Sequence, residues 1–87
     1  MDLPFLPDWV SPPGDSIKDI LEHKRMSKTN FAKKIERSSK FVDRLLIGEE
    51  IIDENLAQKL AAILGASTGF WMRRDSHYRS EKIRLGL

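Results

Sequence analysis

Apolar residues recur along this chain at helical rather than strand spacing. In the stretch TNFAKKIERSSKFVDRLLIG, Thr29 to Gly48, Phe31, Ala32 and Ile35 make one stripe, and Val42, Leu45 and Leu46 make a second. Both follow the i, i+3/i+4 period of short amphipathic helices. Between them Glu36-Arg37-Ser38 is too short for anything but a tight turn. Two short helices joined so closely have the form of a helix-turn-helix, and Ala32 is the small residue that lets them touch.

The flanking pattern predicts three more helices. Residues 1–14, MDLPFLPDWVSPPG, hold all four prolines and are expected to form an extended arm. Asp15 or Ser16 then caps a first helix through about Lys24, with Ile17, Ile20 and Leu21 facing inward. Ser27 caps the second helix and Ser38 the third, which stops at Gly48, so the helix-turn-helix spans 28–48. Asp53 caps a fourth helix from Glu54 to Leu64, whose stripe is Leu56, Leu60, Ile63 and Leu64. Ser67 or Thr68 opens a C-terminal helix over 68–84 that carries Phe70, Trp71 and Tyr78, with Phe70 expected in the core. No strand alternation is present. The predicted class is all-α, a five-helix domain over 15–87 behind the arm.

Composition narrows this further. A chain of 87 residues buries only about 60–65% of its unfolded surface, and with no cysteine it has neither disulfides nor a thiolate metal site. A homodimer is the expected source of added stability. No apolar run approaches the ~20 residues of a membrane span, and Asp2 and Pro4 stand where a cationic leader would begin, so a cytoplasmic protein without membrane contact is expected. The net charge of +2 conceals a strong asymmetry. Lys24 to Arg44 carries eight basic residues against Glu36 and Asp43, while the first 23 residues sum to −4 and residues 45–72 to −3.

Basic charge gathered on a helix-turn-helix is what phosphate neutralisation requires. Lys33, Lys34 and Arg37 are expected to face phosphates. The outward positions of the third helix, Ser38, Ser39, Lys40, Asp43 and Arg44, form the polar set of a major-groove reader. The plainer reading is that lysines solvate two exposed helix faces. Aromatic and apolar residues in the arm (Phe5, Leu6, Trp9) and in the last helix (Trp71, Tyr78) are candidates for a protein interface, with core packing as the alternative. Enzyme chemistry has little to stand on. His23 and His77 lack a third ligand at metal spacing, no Gly-rich phosphate loop exists, and no serine has a plausible base. Neither cofactor nor metal is expected.

The segment MSKTNFAKKIERSSKFVDRLLIGEEIIDENLAQKLAAILGASTGFWMRRDSHY resembles the Xre/Cro-type helix-turn-helix domain of HigA-type antitoxins. The opening PPGDSIKDILEHKRMS and the stretch GASTGFW are its most specific parts, and the resemblance covers about residues 8–80. It implies a dimer on operator DNA in the protein's own promoter, and neutralisation of a RelE/HigB-like RNA-cleaving toxin. It also places Lys28 at a phosphate contact, and Lys40 and Arg44 near guanine O6 and N7. The sequence departs from the pattern at four places. Glu36 stands at the turn glycine, where a β-carbon in the left-handed region is strained. Arg37 replaces an apolar residue, Ile47 an asparagine, and Glu49-Glu50 a loop lysine that contacts phosphate. These departures leave a second expectation open: a protein-binding module on a helix-turn-helix scaffold with weak or lost DNA binding.

Overall fold

The computed structural model describes residues 11–86, arranged as α1 (Pro13–Lys24), α2 (Lys28–Lys34), α3 (Ser39–Leu46), α4 (Glu54–Leu64) and α5 (Thr68–Leu85). The arm residues Phe5, Leu6 and Trp9 lie outside the described residues. Four helices begin at side-chain caps. The oxygens of Ser27, Ser38, Asp53 and Ser67 accept from the backbone N–H three residues on, at 3.0, 3.1, 2.8 and 2.9 Å, which satisfies one orphan donor of each first turn.

α1 opens differently from the expectation. Pro12 is its cap, without a side-chain bond, and Pro13 takes the first helical position, where a missing N–H is no loss. The helix therefore starts two residues before Asp15, and Pro13 and Gly14 belong to it and not to the arm. Gly14 is needed because a Cβ there would lie 2.2 Å from the Leu46 carbonyl oxygen. α1 thus crosses the end of α3 backbone against backbone.

The α2–α3 turn closes by two backbone bonds, Glu36 N–H to Lys33 O at 3.1 Å and Arg37 N–H to Ala32 O at 3.0 Å. This is the Schellman arrangement, and it requires a left-handed residue at its first position beyond the helix. Glu36 occupies that position at φ 61°, as the turn alignment predicts. The same device ends α3, with Gly48 at φ 86° and Glu49 N–H reaching Arg44 O at 2.8 Å.

The core gathers Ile17 from α1, Phe31 and Ala32 from α2, Val42 and Leu45 from α3, and Leu56, Ala57 and Leu60 from α4. Ile20, Leu46 and Ile63 pack at its edge, half-buried. The last helix departs from the expected inward set. Phe70 is 38% exposed, whereas Trp71 is wholly buried and Tyr78 nearly so. Positions 71, 75 and 78 share one helical face, and that face is buried, with Asp75 meeting the Ile52 N–H and Tyr78 lying against Gly48. Phe70, about 100° round the helix from Trp71, meets its ring edge-on at 4.9 Å. The Trp71 indole N–H donates to Gly65 O at 3.0 Å. Trp71 and Tyr78 are therefore core residues, and their assignment to a partner interface is overturned.

Candidate nucleic-acid interface

α3 is amphipathic because its eight residues place Val42 and Leu45 on one side and polar groups on the other. Ser38, Ser39, Lys40, Asp43 and Arg44 are all exposed, as are Lys28, Lys33 and Lys34 on α2. Of the two sequence-predicted groups, the structure brings Lys28 of α2 into contact with Asp43 of α3, while Lys33 and Lys34 are exposed on α2. Arg37 is held in the turn, its guanidinium 4.7 Å from the centre of the Phe41 ring, a cation–π contact that restricts its reach. The Ser38 hydroxyl oxygen is engaged by the Phe41 N–H as the helix cap.

Several of these side chains already have partners. Lys28 pairs with Asp43 across the helix-turn-helix. Arg44 donates from Nε to Glu50 Oε2 at 2.6 Å. The Lys28–Asp43 pair is exposed on both sides, and such pairs contribute only about 0–1 kcal/mol, so it can be exchanged for a phosphate contact at small cost. Lys40 makes no ion pair among the described residues. At the turn, Lys59 of α4 reaches Glu36 Oε1 at 2.8 Å and the Ile35 carbonyl at 3.3 Å. The Lys59 hydrogen bond and charge hold the Glu36 carboxyl below its ordinary pKa. A strained acidic residue is thereby tied back to the domain body.

The loop after α3 contains a constraint that the sequence pattern does not announce. Asp75 of α5 is buried, accepts from the Ile52 N–H at 3.3 Å, and pairs with Arg79 Nε at 3.2 Å. Arg79 Nη2 in turn donates to Glu50 O at 2.7 Å and Gly48 O at 3.3 Å. The i, i+4 spacing of Asp75 and Arg79 signals an ion pair on a helix. Nothing local signals that the pair grips a loop more than twenty residues earlier. Arg74 does similar work at the other end, donating to Ser11 O at 2.8 Å and to Ser11 Oγ at 3.0 Å.

Among the described residues, no three His, Asp or Glu side chains come together in a way that could hold a metal ion, and no helix is long and apolar enough to cross a membrane.

No family model matches the chain. It is 32% identical over 60 residues to YddM of Escherichia coli (strain K12), an uncharacterized HTH-type transcriptional regulator. That alignment covers 69% of this chain and 64% of the relative, so the chain spans less than two thirds of that protein's length. Two solved structures share its fold. A candidate antidote protein of a plasmid maintenance system from Nostoc punctiforme superposes with a TM-score of 0.78 at 24% identity, covering 88% of this chain and 87% of the other. An addiction-module antidote protein of the HigA family from Coxiella burnetii does so with a TM-score of 0.74 at 22% identity, covering 87% and 85%. The chain therefore has a five-helix, Xre/Cro-type helix-turn-helix fold, similar in sequence to an HTH-type transcriptional regulator and in fold to two antidote proteins, one of them of the HigA family.

Proposed function

We propose that this chain is a DNA-binding antitoxin that represses its own promoter as a homodimer and neutralises a RelE/HigB-like toxin. The observation that carries the DNA half is the exposed polar set of α3, Ser38, Ser39, Lys40, Asp43 and Arg44, which Lys28 of α2 meets across the turn at Asp43. In this reading α3 enters the major groove with Ser39, Lys40, Asp43 and Arg44 toward base edges and Ser38 at the groove margin. Lys28, Lys33, Lys34 and Arg37 approach phosphates. Two copies read half-sites about one helical turn apart, since one domain of this size offers too little surface for tight binding. The toxin half rests on the relationship to antidote proteins and on apolar surface away from α3. The exposed Phe70 of α5 supplies it, and Phe5, Leu6 and Trp9, which lie outside the described residues, are added as candidate contacts from the sequence alone.

The deciding experiment is fluorescence anisotropy on duplex DNA from immediately upstream of the protein's own gene, at ~50 and ~200 mM salt, against a scrambled duplex. Selective binding that weakens steeply with salt is the expected result. Absence of selectivity at both salts overturns the repressor reading and leaves a scaffold for protein binding. Co-purification with the product of the neighbouring reading frame tests the toxin half. That complex should persist as salt rises, because its contacts are apolar.

A further inference from the structure

Glu50, with Glu49, stands where the pattern that this sequence resembles has a loop lysine, and in the sequence it reads simply as a charge that repels DNA. Its geometry indicates another role. The carboxylate accepts from Arg44 Nε at 2.6 Å, and the Glu50 side chain is only 25% exposed. Its main chain is immobilised at the same time, because Arg79 Nη2 donates to Glu50 O at 2.7 Å while Asp75 holds both Arg79 and the Ile52 N–H. The Nε atom is the one guanidinium donor that end-on recognition of guanine does not need. A fork presented to O6 and N7 uses the two Nη groups, and neither Nη of Arg44 makes a hydrogen bond among the described residues. A carboxylate on Nε therefore fixes the plane and direction of the fork without occupying it, and removes rotamer entropy that Arg44 would otherwise lose on binding.

We propose that Glu50 is a positioning residue that sets a guanine preference at one base of each half-site by orienting Arg44. The proposal rests on the reading of α3 as a major-groove element. It separates two effects that a simple repulsive charge would merge. Removing Glu50 should strengthen binding to DNA of any sequence, because a negative charge leaves the surface. Yet it should weaken the choice of base under Arg44.

The test is parallel selection from one random-sequence duplex pool by the natural protein and by the variants Arg44→Ala, Glu50→Ala, Glu50→Asp and Glu50→Gln, with circular dichroism confirming that each is folded. Arg44→Ala marks the guanine read by that side chain as the position whose preference disappears. At that position the natural protein should favour guanine by about tenfold or more. Glu50→Ala should fall to within about threefold there, while binding random duplex more tightly and keeping its preferences elsewhere. Glu50→Asp keeps the charge but draws it back by one methylene, and should relax the same position. Glu50→Gln keeps an acceptor at the right reach and should retain more of the preference than either. An unchanged preference in whichever of the Ala and Asp variants folds overturns the proposal. If the natural protein enriches no sequence, the DNA-reading function itself fails and the proposal with it, a result visible in the natural-protein arm alone.

Discussion

Glu36 shows how one residue can be both a strain and an anchor. Its φ of 61° places a β-carbon in the region that favours glycine, and its carboxylate is tied to Lys59 at 2.8 Å. The backbone term acts at every pH, whereas the exposed pair is weak and screened by salt. Glu36→Gly should therefore raise the melting temperature by about 2–5 °C, and should tighten DNA binding by removing a negative charge beside the turn. A fall in melting temperature would show that the contact with Lys59 outweighs the backbone strain. The pair also has a pH signature. Because Lys59 holds the Glu36 carboxyl below its ordinary value, its contribution is fully present above the unfolded carboxylate pKa and is lost as pH falls through the lowered folded value. Glu36→Gln should thus melt below the natural protein at neutral pH, and the two curves should converge as pH falls through the lowered Glu36 value. Parallel curves throughout would mean that the pair contributes nothing.

At the scale of elements, α5 acts as a brace for the loop that follows α3. Asp75 and Arg79 lie one turn apart on α5 and together hold Gly48 O, Glu50 O and the Ile52 N–H. The loop is short of apolar anchors, since Ile47 and Ile51 are exposed and Ile52 is its buried apolar side chain, so polar contacts help to keep it in place. Asp75→Ala leaves a buried backbone donor and a half-buried arginine without their partner, and should cost about 1–3 kcal/mol. Amide hydrogen exchange reports the mechanism. The Ile52 N–H should lose protection in this variant while the α4 amides keep theirs, and uniform loss across the chain would indicate global destabilisation instead. Gly48 belongs to the same brace. A Cβ there would lie 2.8 Å from both Pro12 Cβ and the Tyr78 hydroxyl, so the end of α3 is packed from two sides.

For the molecule as a whole, the distribution of charge should separate general affinity from specificity. Arg44 and Lys34 are both exposed cations of the helix-turn-helix, one on the reading face of α3 and one at the end of α2. Arg44→Ala should cost about 1–3 kcal/mol on the selected operator and little on random duplex. Lys34→Ala should weaken both alike and reduce the salt slope by about one. Titration of both variants on both duplexes checks this, and equal losses for Arg44→Ala would reduce it to a phosphate contact.

Much of this architecture is written in local chemistry. The caps at Ser27, Ser38, Asp53 and Ser67 and the stripes of α2, α3 and α4 involve residues no more than a few positions apart, and the left-handed turn at Glu36 is also local. Their periodicity and side-chain chemistry therefore determine them before any tertiary contact forms. The all-α class and the exposed polar face of α3 follow from the same short-range rules. The close crossing of α1 over α3 at Gly14 did not, because it joins distant segments, where a Cβ would lie 2.2 Å from the Leu46 carbonyl oxygen. Nor could periodicity choose between Phe70 and Trp71, adjacent residues of which only one can face the core. Packing decided for Trp71, whose indole also finds Gly65 O. Glu50 shows the same limit most clearly. As a sequence feature it is a repulsive charge near phosphate, and only the grip of α5 on its backbone turns it into a partner for Arg44. Contacts that join distant parts of the chain depend on how helices pack, and helix packing is set by the whole core and not by any one segment of it.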